Sequence, residues 1–129
     1  MAAAPADFRP ASTAEQKIKK EKGSGLTVTF VENPDIAAAL GHMKRPGQLL
    51  VTFAAETENL LENARVKLAA KGADLMIAND VSRSDAGFHV DTNAVTILRP
   101  DDSEPEVLPL MPKREVAAHI LDAAQKLWE

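Results

Sequence analysis

The sequence of 129 residues contains no cysteine. Without cysteine the chain cannot form a disulfide, present a thiolate nucleophile or build a cysteine-based zinc site. No apolar run approaches the roughly twenty residues that a membrane-spanning helix needs. The N-terminus lacks a basic segment followed by an apolar one, so we expect no signal peptide. Together these absences predict a cytoplasmic protein without membrane segments.

Several motifs that carry chemistry are also missing. Gly23-Ser24-Gly25 is not a phosphate-binding loop, because its spacing is wrong and no strand precedes it. No serine lies in a nucleophile elbow. The three histidines, His42, His89 and His119, fall in unrelated elements without the spacing of metal ligands. We therefore expect no metal site built from side chains of this chain.

The composition that remains is ordinary for a globular protein, with 45% hydrophobic residues, 26% charged residues and a formal net charge of −4. This mild acidity gives no support to a nucleic-acid-binding surface. The length suits one domain over residues 1–129, large enough to bury a modest core.

Residues 11–25 form a polar segment that carries four lysines, Lys17, Lys19, Lys20 and Lys22. The segment suits a solvated loop or a short exposed helix. It also suits a mobile lid that binds anions, since its glycines provide a flexible exit. We predict a flexible lysine-rich loop, with both functions left open.

A strand, a helix and a second strand are predicted between residues 49 and 80. Residues 49–53 are mostly apolar or β-branched, which is typical of a strand buried on both faces. Ala54 and Ala55 then allow a tight turn of the backbone.

The helix is predicted over residues 58–71, followed by a stop at Gly72 and a mostly apolar strand over residues 73–78. Its apolar stripe consists of Leu60, Leu61, Ala64 and Leu68. A strand–helix–strand unit of about thirty residues indicates a parallel pair of strands joined by a crossover helix.

Polar residues follow both strands of this unit: Glu56 and Thr57 after the first, Asn79 and Asp80 at the end of the second. The carboxyl ends of parallel strands meet at one edge of the sheet. Open α/β sheets bind their ligands at that edge. We expect a ligand site there.

Upstream of this unit, residues 26–31 alternate between apolar and polar side chains and are rich in β-forming residues, which predicts a strand. Asn33-Pro34-Asp35 predicts a helix start, with a capping Asn, Pro at the first position and an acid in the first turn. That helix is expected to run to about His42.

Downstream, residues 94–98 and 107–110 predict two strands of an antiparallel hairpin. Residues 112–128 predict a final amphipathic helix, with Val116, Ile120, Ala124 and Leu127 facing inward. The predicted fold class is α/β: a Rossmann-like, mainly parallel sheet flanked by helices, with an antiparallel hairpin.

The run FAAETENLLENARVKLAAKGADLMIANDVS resembles the signature stretch of phosphopantothenoylcysteine synthetase, the CTP-dependent ligase of bacterial coenzyme A synthesis. Further stretches resemble that family in order and spacing. They are residues 1–10, Lys17-Ile18-Lys19-Lys20, Asn33-Pro34-Asp35-Ile36, Asn79-Asp80-Val81, Gly87-Phe88, Asp91-Thr92-Asn93 and Leu108-Pro109-Leu110.

The resemblance implies a reaction in which CTP activates the carboxylate of 4′-phosphopantothenate as an acyl-cytidylate, and the amine of cysteine then displaces CMP. It implies Mg²⁺ as the usual cation and a homodimer that pairs through the hairpin region. FMN belongs to the decarboxylase domain to which bacteria usually fuse the synthetase.

The resemblance also implies site residues. Lys17 would be catalytic, donating charge to the phosphate or acyl intermediate from a closing loop. The implied CTP-binding residues are Asp7, Lys17, Pro34, Asp35, Ile36, Ala37, Phe53, Lys67 and Lys71. Helix geometry carries Lys67 and Lys71 away from the carboxyl edge, and their alternative function is to cover the apolar flank of the helix.

Two residues depart from the family pattern: Pro5 replaces a valine, and Thr52 replaces a glycine. The family domain also begins upstream of Met1, with a glycine-rich first turn and an asparagine used in acyl-cytidylate formation. We expect this chain to be a fragment. It is then either a ligase half that completes its site elsewhere, or a non-catalytic α/β nucleotide-binding or dimerisation module.

Overall fold

The fold is built around a four-stranded sheet. It is described by a computed structural model that covers residues 5–19, 23, 25–82, 85–87, 89–101 and 103–128. The described chain divides into two units, residues 5–35 and residues 36–128. The elements are β1 (Phe8–Pro10), β2 (Phe30–Glu32), α1 (Ile36–Met43), β3 (Val51–Glu56), α2 (Leu60–Lys71), β4 (Leu75–Asp80), β5 (Thr92–Leu98), β6 (Glu106–Pro112) and α3 (Lys113–Gln125).

In the unit of residues 5–35, β1 and β2 pair antiparallel, with Phe8 opposite Glu32 and Pro10 opposite Phe30. The predicted strand over residues 26–31 is therefore shorter and later than expected. Its partner has only three residues, and among the described residues a single backbone hydrogen bond, from the Ala11 N–H to the Thr29 carbonyl at 2.8 Å, follows the last residue pair. Residues 1–4 lie outside the described residues.

The Asn33 side chain forms hydrogen bonds with β1 and with the segment just before it. Its side-chain amide donates to the Ala6 carbonyl at 2.7 Å and its side-chain oxygen accepts from Arg9 at 3.1 Å. The predicted capping function of Asn33 is wrong, because its side chain bonds to residues 6 and 9 and the helix begins three residues later, at Ile36. Helix α1 begins at Ile36, after Pro34 and Asp35 rather than with them.

The predicted strand–helix–strand unit is confirmed. β3 and β4 pair in parallel from Val51 opposite Leu75 to Glu56 opposite Asp80. Gly72 ends α2 in the left-handed conformation, with φ of 55°, as a glycine can without a Cβ clash. The expected turn at residues 54–55 is wrong, since β3 continues through both alanines to Glu56.

The sheet order is β3-β4-β5-β6. The α/β class and the β5–β6 antiparallel hairpin are confirmed. The expectation of a mainly parallel sheet needs one correction, because β4–β5 is antiparallel as well and parallel pairing is confined to β3–β4. A parallel return needs a long crossover, usually a helix, and the described residues between β4 and β5 contain none.

Alternation along β4 builds a core on each face of the sheet. Met76 and Ala78 pack with Ala64 and Leu68 of α2 on one face. On the other face lie Leu75, Ile77, Val95, Ile97 and Leu108, together with Val116 and Ala123 of α3. β4 is therefore buried on both sides, which explains its continuous apolar run.

Of the residues predicted to face inward from the last helix, Val116 is buried, and Ile120 and Ala124 pack partly against the core. Leu127 is exposed and lies beyond the end of α3 at Gln125. Leu61, predicted to lie on the buried stripe of α2, is also exposed. Both expectations are wrong, because α3 ends before Leu127 and the buried stripe of α2 is narrower than its apolar pattern.

Candidate functional site at the carboxyl edge of strands β3 and β4

The parallel register brings the predicted polar strand ends together. Glu56 lies opposite Asp80, and Ala55 lies opposite Asn79. The backbone N–H of Val81 donates to the Glu56 carbonyl at 3.0 Å, which ties the chain after β4 to the end of β3. The expected carboxyl edge with polar side chains is therefore present.

Glu56 is the centre of a polar cluster at this edge. Its Oε1 accepts a hydrogen bond from Lys67 Nζ at 2.6 Å, and its Oε2 accepts one from Asn63 Nδ2 at 3.3 Å. Asn63 Nδ2 also donates to the Glu58 carbonyl at 2.9 Å. The Glu56 side chain is only 10% exposed, whereas that of Lys67 is 46% exposed. The cluster thus presents an ammonium to solvent above a nearly buried carboxylate.

Lys67 reaches the carboxyl edge despite its late position in α2. Side chains of a helix tilt toward its N-terminus, and α2 begins at that edge. The four-carbon stem of Lys67 therefore extends back up the helix to Glu56. Lys71 lies one turn further from the edge. The two lysines that the resemblance implies as CTP-binding residues of α2 therefore lie at different distances from that edge.

The C-terminal ends of α1 and α2 lie side by side. A Cβ added to Gly41 would come within 1.8 Å of the Lys71 carbonyl oxygen, and Lys44 Nζ donates to the Gly72 carbonyl at 3.1 Å. At the other end of α1, the first turn contains exposed Ile36 and buried Ala37.

Phe53 lies on β3 and is 51% exposed, so the expectation of a strand buried on both faces is wrong for this residue. Alternation places Phe53 on the same face as Val51, which packs against the core under α3. Glu56 and Lys67 lie on the α2 face. A ligand that contacts both Phe53 and Lys67 must therefore cross the edge strand.

The segment after β4 continues the polar edge. The Ser82 N–H donates to Asp80 Oδ1 at 2.9 Å and the Ser82 hydroxyl donates to the same oxygen at 2.5 Å. Further along, Thr92 Oγ1 donates to the Asp85 carbonyl at 2.8 Å. Gly87, at φ 95°, lies close to the Asn79 side chain. Phe88, part of a family-like motif, lies outside the described residues.

The remaining predicted site residues lie in the unit of residues 5–35. The Asp7 carbonyl accepts a hydrogen bond from the Asn33 N–H at 2.7 Å. Lys17 is exposed, and the described residues of its segment form neither helix nor strand. Pro34 and Asp35 are exposed immediately before α1. Lys20 and Lys22 of the lysine-rich segment lie outside the described residues.

Within the part of the chain that is described, no group of three or more His, Asp or Glu side chains could hold a metal ion. Nor is any helix among those residues both long and apolar enough to cross a membrane.

Sequence reasoning missed the contributions of Asn63 and of the Glu56 carboxylate to this site. The signal for Asn63 was available, because it precedes Lys67 by four residues and so shares its helix face. For Glu56 the sequence indicated only a polar strand end, since its partners come from a helix that returns across the sheet.

Residues 1–127 match the family described as DNA/pantothenate metabolism flavoprotein C-terminal domain. The chain is 47% identical over 119 residues to the coenzyme A biosynthesis bifunctional protein CoaBC of Bacillus subtilis (strain 168), covering 92% of this chain and 29% of that protein. It is 44% identical over 126 residues to the CoaBC protein of Vibrio vulnificus (strain YJ016), covering 97% of this chain and 31% of that protein.

The crystal structure of the C-terminal domain of a CoaBC protein superposes with a TM-score of 0.70 at 36% identity. That match covers 97% of this chain and 51% of the solved chain. The chain thus spans about a third of the length of these bifunctional relatives. It belongs to the DNA/pantothenate metabolism flavoprotein C-terminal domain family.

Proposed function

We propose that this chain contributes the nucleotide-binding part of a phosphopantothenate–cysteine ligase that uses CTP in coenzyme A biosynthesis. The observation that carries this proposal is the carboxyl edge of β3 and β4, where Lys67 presents an ammonium beside Glu56, in a member of this family. Ligands of open α/β sheets bind at that edge. The names of the relatives and the resemblance of the motifs supply the substrate class.

In the proposed complex, Lys67 binds a phosphate of CTP, because an ammonium makes charge-assisted hydrogen bonds to phosphate oxygens. The first turn of α1, with Ile36 and Ala37, supplies backbone N–H groups at the positive end of the helix. Phe53 offers an exposed ring to the nucleotide from the other face of β3. Lys71 is the weaker candidate, since it lies one turn further from the edge.

Asp7, Pro34 and Asp35 remain proposed CTP contacts by resemblance. CTP, cysteine and 4′-phosphopantothenate would be the substrates, and FMN would belong only to a fused decarboxylase domain. Mg²⁺ is commonly held by one or two carboxylates together with substrate phosphates. Glu56 and Asp80 are the two carboxylates at this edge, and both already accept hydrogen bonds from neighbouring side chains.

A homodimer is the proposed assembly, and the exposed apolar residues of β6 support it. Val107 is 71% and Leu110 is 43% exposed, on a strand at the edge of the sheet. The same observation supports the second candidate function, a dimerisation module without catalysis. CTP binding separates the two candidates.

Isothermal titration of the 129-residue chain with CTP tests the proposal directly. We expect saturable binding, weakened about tenfold by Lys67→Met, because a charge-assisted hydrogen bond to phosphate is lost. Lys126→Met, at an exposed lysine after α3, is the matched control and should bind as the unchanged chain does. No binding by the unchanged chain, or equal weakening by both variants, would contradict the proposal.

The catalytic role of Lys17 is tested in a complete synthetase that carries these residues. Lys17→Ala should slow conversion of the acyl-cytidylate by about two orders of magnitude, which is more than it weakens CTP binding, because the ammonium acts on charge in the intermediate. Single-turnover decay of the intermediate measures this. Lys22→Ala, outside the Lys-x-Lys-Lys motif, is the control. Equal and small effects of both variants would indicate that the segment is a solubilising loop without a catalytic role.

A further inference from the structure

We propose that Glu56 is a positioning residue that holds the ammonium of Lys67 for nucleotide binding. The assignment rests on the proposed function, in which Lys67 contacts a phosphate of CTP. It is carried by the 2.6 Å contact between Glu56 Oε1 and Lys67 Nζ and by the near-complete burial of the Glu56 side chain.

Glu56 is itself held in place from two sides. Asn63 donates from α2 to its second carboxylate oxygen, and its backbone carbonyl accepts from Val81 after β4. Register with Asp80 fixes the last residue of the parallel pair. Glu56 is therefore attached to both strands and to the crossover helix, and its carboxylate is a fixed point at the edge of the sheet.

Lys67, by contrast, has a long flexible side chain with a half-exposed end. Among the described residues Glu56 is its only hydrogen-bond partner. An ammonium has three donors, so the contact leaves two for a ligand on the solvent side. Fixing the side chain before the ligand arrives removes part of the entropy cost of binding.

Stability alone does not explain this arrangement. A nearly buried carboxylate loses hydration, and an ion pair with a half-exposed lysine returns little free energy. A carboxylate that orients a phosphate-binding lysine has a function that offsets this cost. The competing effect is repulsion between Glu56 and the phosphate, which would make Glu56→Gln tighten binding instead of weakening it.

The first test uses the free 129-residue chain and the ¹⁵N signal of the Lys67 ammonium, assigned by its loss in Lys67→Met. Glu56→Gln should increase the mobility of that ammonium. Glu62→Gln, an exposed glutamate on the same helix, is the matched control and should leave the mobility unchanged. Unchanged mobility in Glu56→Gln overturns the proposal whatever the result with CTP.

The second test is a double-mutant cycle for CTP affinity, measured by titration calorimetry. Glu56→Gln should weaken binding about tenfold in the unchanged chain and have no further effect in the Lys67→Met background. Equal weakening in both backgrounds shows a structural role and overturns the proposal, as does tighter binding by Glu56→Gln. Glu56→Asp, which keeps the charge, should recover part of the affinity. Absence of CTP binding by the unchanged chain overturns the proposed function, and the nucleotide role of this pair with it.

Discussion

Asp74 shows how a single side chain joins three parts of the larger unit. Its carboxylate oxygens accept from Lys44 Nζ at 2.7 and 2.8 Å, and Oδ2 also accepts from the Leu50 N–H at 2.7 Å. Lys44 follows α1, Leu50 precedes β3 and Asp74 precedes β4. This partly buried carboxylate therefore holds the amino-terminal ends of both parallel strands next to the end of α1.

Asp74→Ala should lower the free energy of unfolding by about 2–4 kcal/mol, because it leaves a buried N–H and a partly buried ammonium without their acceptor. Chemical denaturation of the 129-residue chain measures this. Asp122→Ala, at an exposed aspartate of α3, is the control and should change the stability by less than about 0.5 kcal/mol. Equal effects of the two variants would contradict the assigned role of Asp74.

Asp101 provides a pH-dependent prediction. The Ser103 hydroxyl, at 2.8 Å, and the Ser103 N–H, at 3.4 Å, donate to Asp101 Oδ1 and hold the pKa of Asp101 below its ordinary value of 3.8. Because the pKa of Asp101 is lower in the folded chain than in the unfolded chain, ionised Asp101 stabilises the folded chain at pH values above the unfolded-state pKa. This stabilisation is lost as the pH falls through the folded-state pKa. Ser103→Ala should raise the pKa of Asp101, observable by NMR titration. An unchanged pKa would show that the Ser103 hydroxyl is not the cause.

At the level of elements, the packing of α1 on α2 depends on Gly41. A Cβ at this position would lie 1.8 Å from the Lys71 carbonyl oxygen. The two helix backbones therefore approach more closely than any other residue at position 41 permits. Ala37, one turn earlier in α1, is also buried.

Gly41→Ala should destabilise the chain by about 1–3 kcal/mol, because the backbones must separate. The sign of the stability change is informative, because a glycine-to-alanine substitution inside a helix otherwise stabilises the protein by about 1 kcal/mol. Gly25→Ala is the matched control, because a Cβ there meets no atom within 4 Å. Thermal unfolding compares the two variants. An equally stable Gly41→Ala chain would mean that the helices are further apart than described.

Strand β6 is an edge strand whose irregularity has an identifiable cause. Its register with β5 shifts between Asn93 and Val95, where an additional residue of β6 is accommodated. Pro109 lies in that part of β6 and has no N–H to donate, which suits a bulge at a sheet edge. Exposed Leu110 also lies in this irregular part of β6, and exposed Val107 lies just before it.

At the level of the whole molecule, the exposed apolar residues of β6 predict self-association. Val107→Lys combined with Leu110→Lys should raise the dimer dissociation constant at least about tenfold, because charges replace buried apolar contacts at the interface. Sedimentation equilibrium measures the constant. Val66→Lys, at an exposed valine of α2, is the control and should leave it unchanged. A chain that remains monomeric at high concentration would contradict the prediction.

The sequence by itself determined the local structure around the site. The apolar run of β4 and the helical pattern ended by Gly72 indicated a strand–helix–strand unit, and that unit requires a parallel pair with its polar ends at one edge. These features depend on neighbouring residues and on the geometry of one crossover, so they can be derived without knowing the rest of the fold. The motif resemblance also indicated the family, which the match over residues 1–127 confirms.

The tertiary structure alone decided which side chains meet at that edge. The direction of β5, the exposure of Phe53 and the close approach at Gly41 all depend on elements distant in the sequence. Lys67 is the clearest case: its helix position predicts a distance from the edge, yet its stem returns to Glu56. Helix periodicity specifies the face on which a residue lies, whereas the contact of a long side chain depends on what the fold places within its reach.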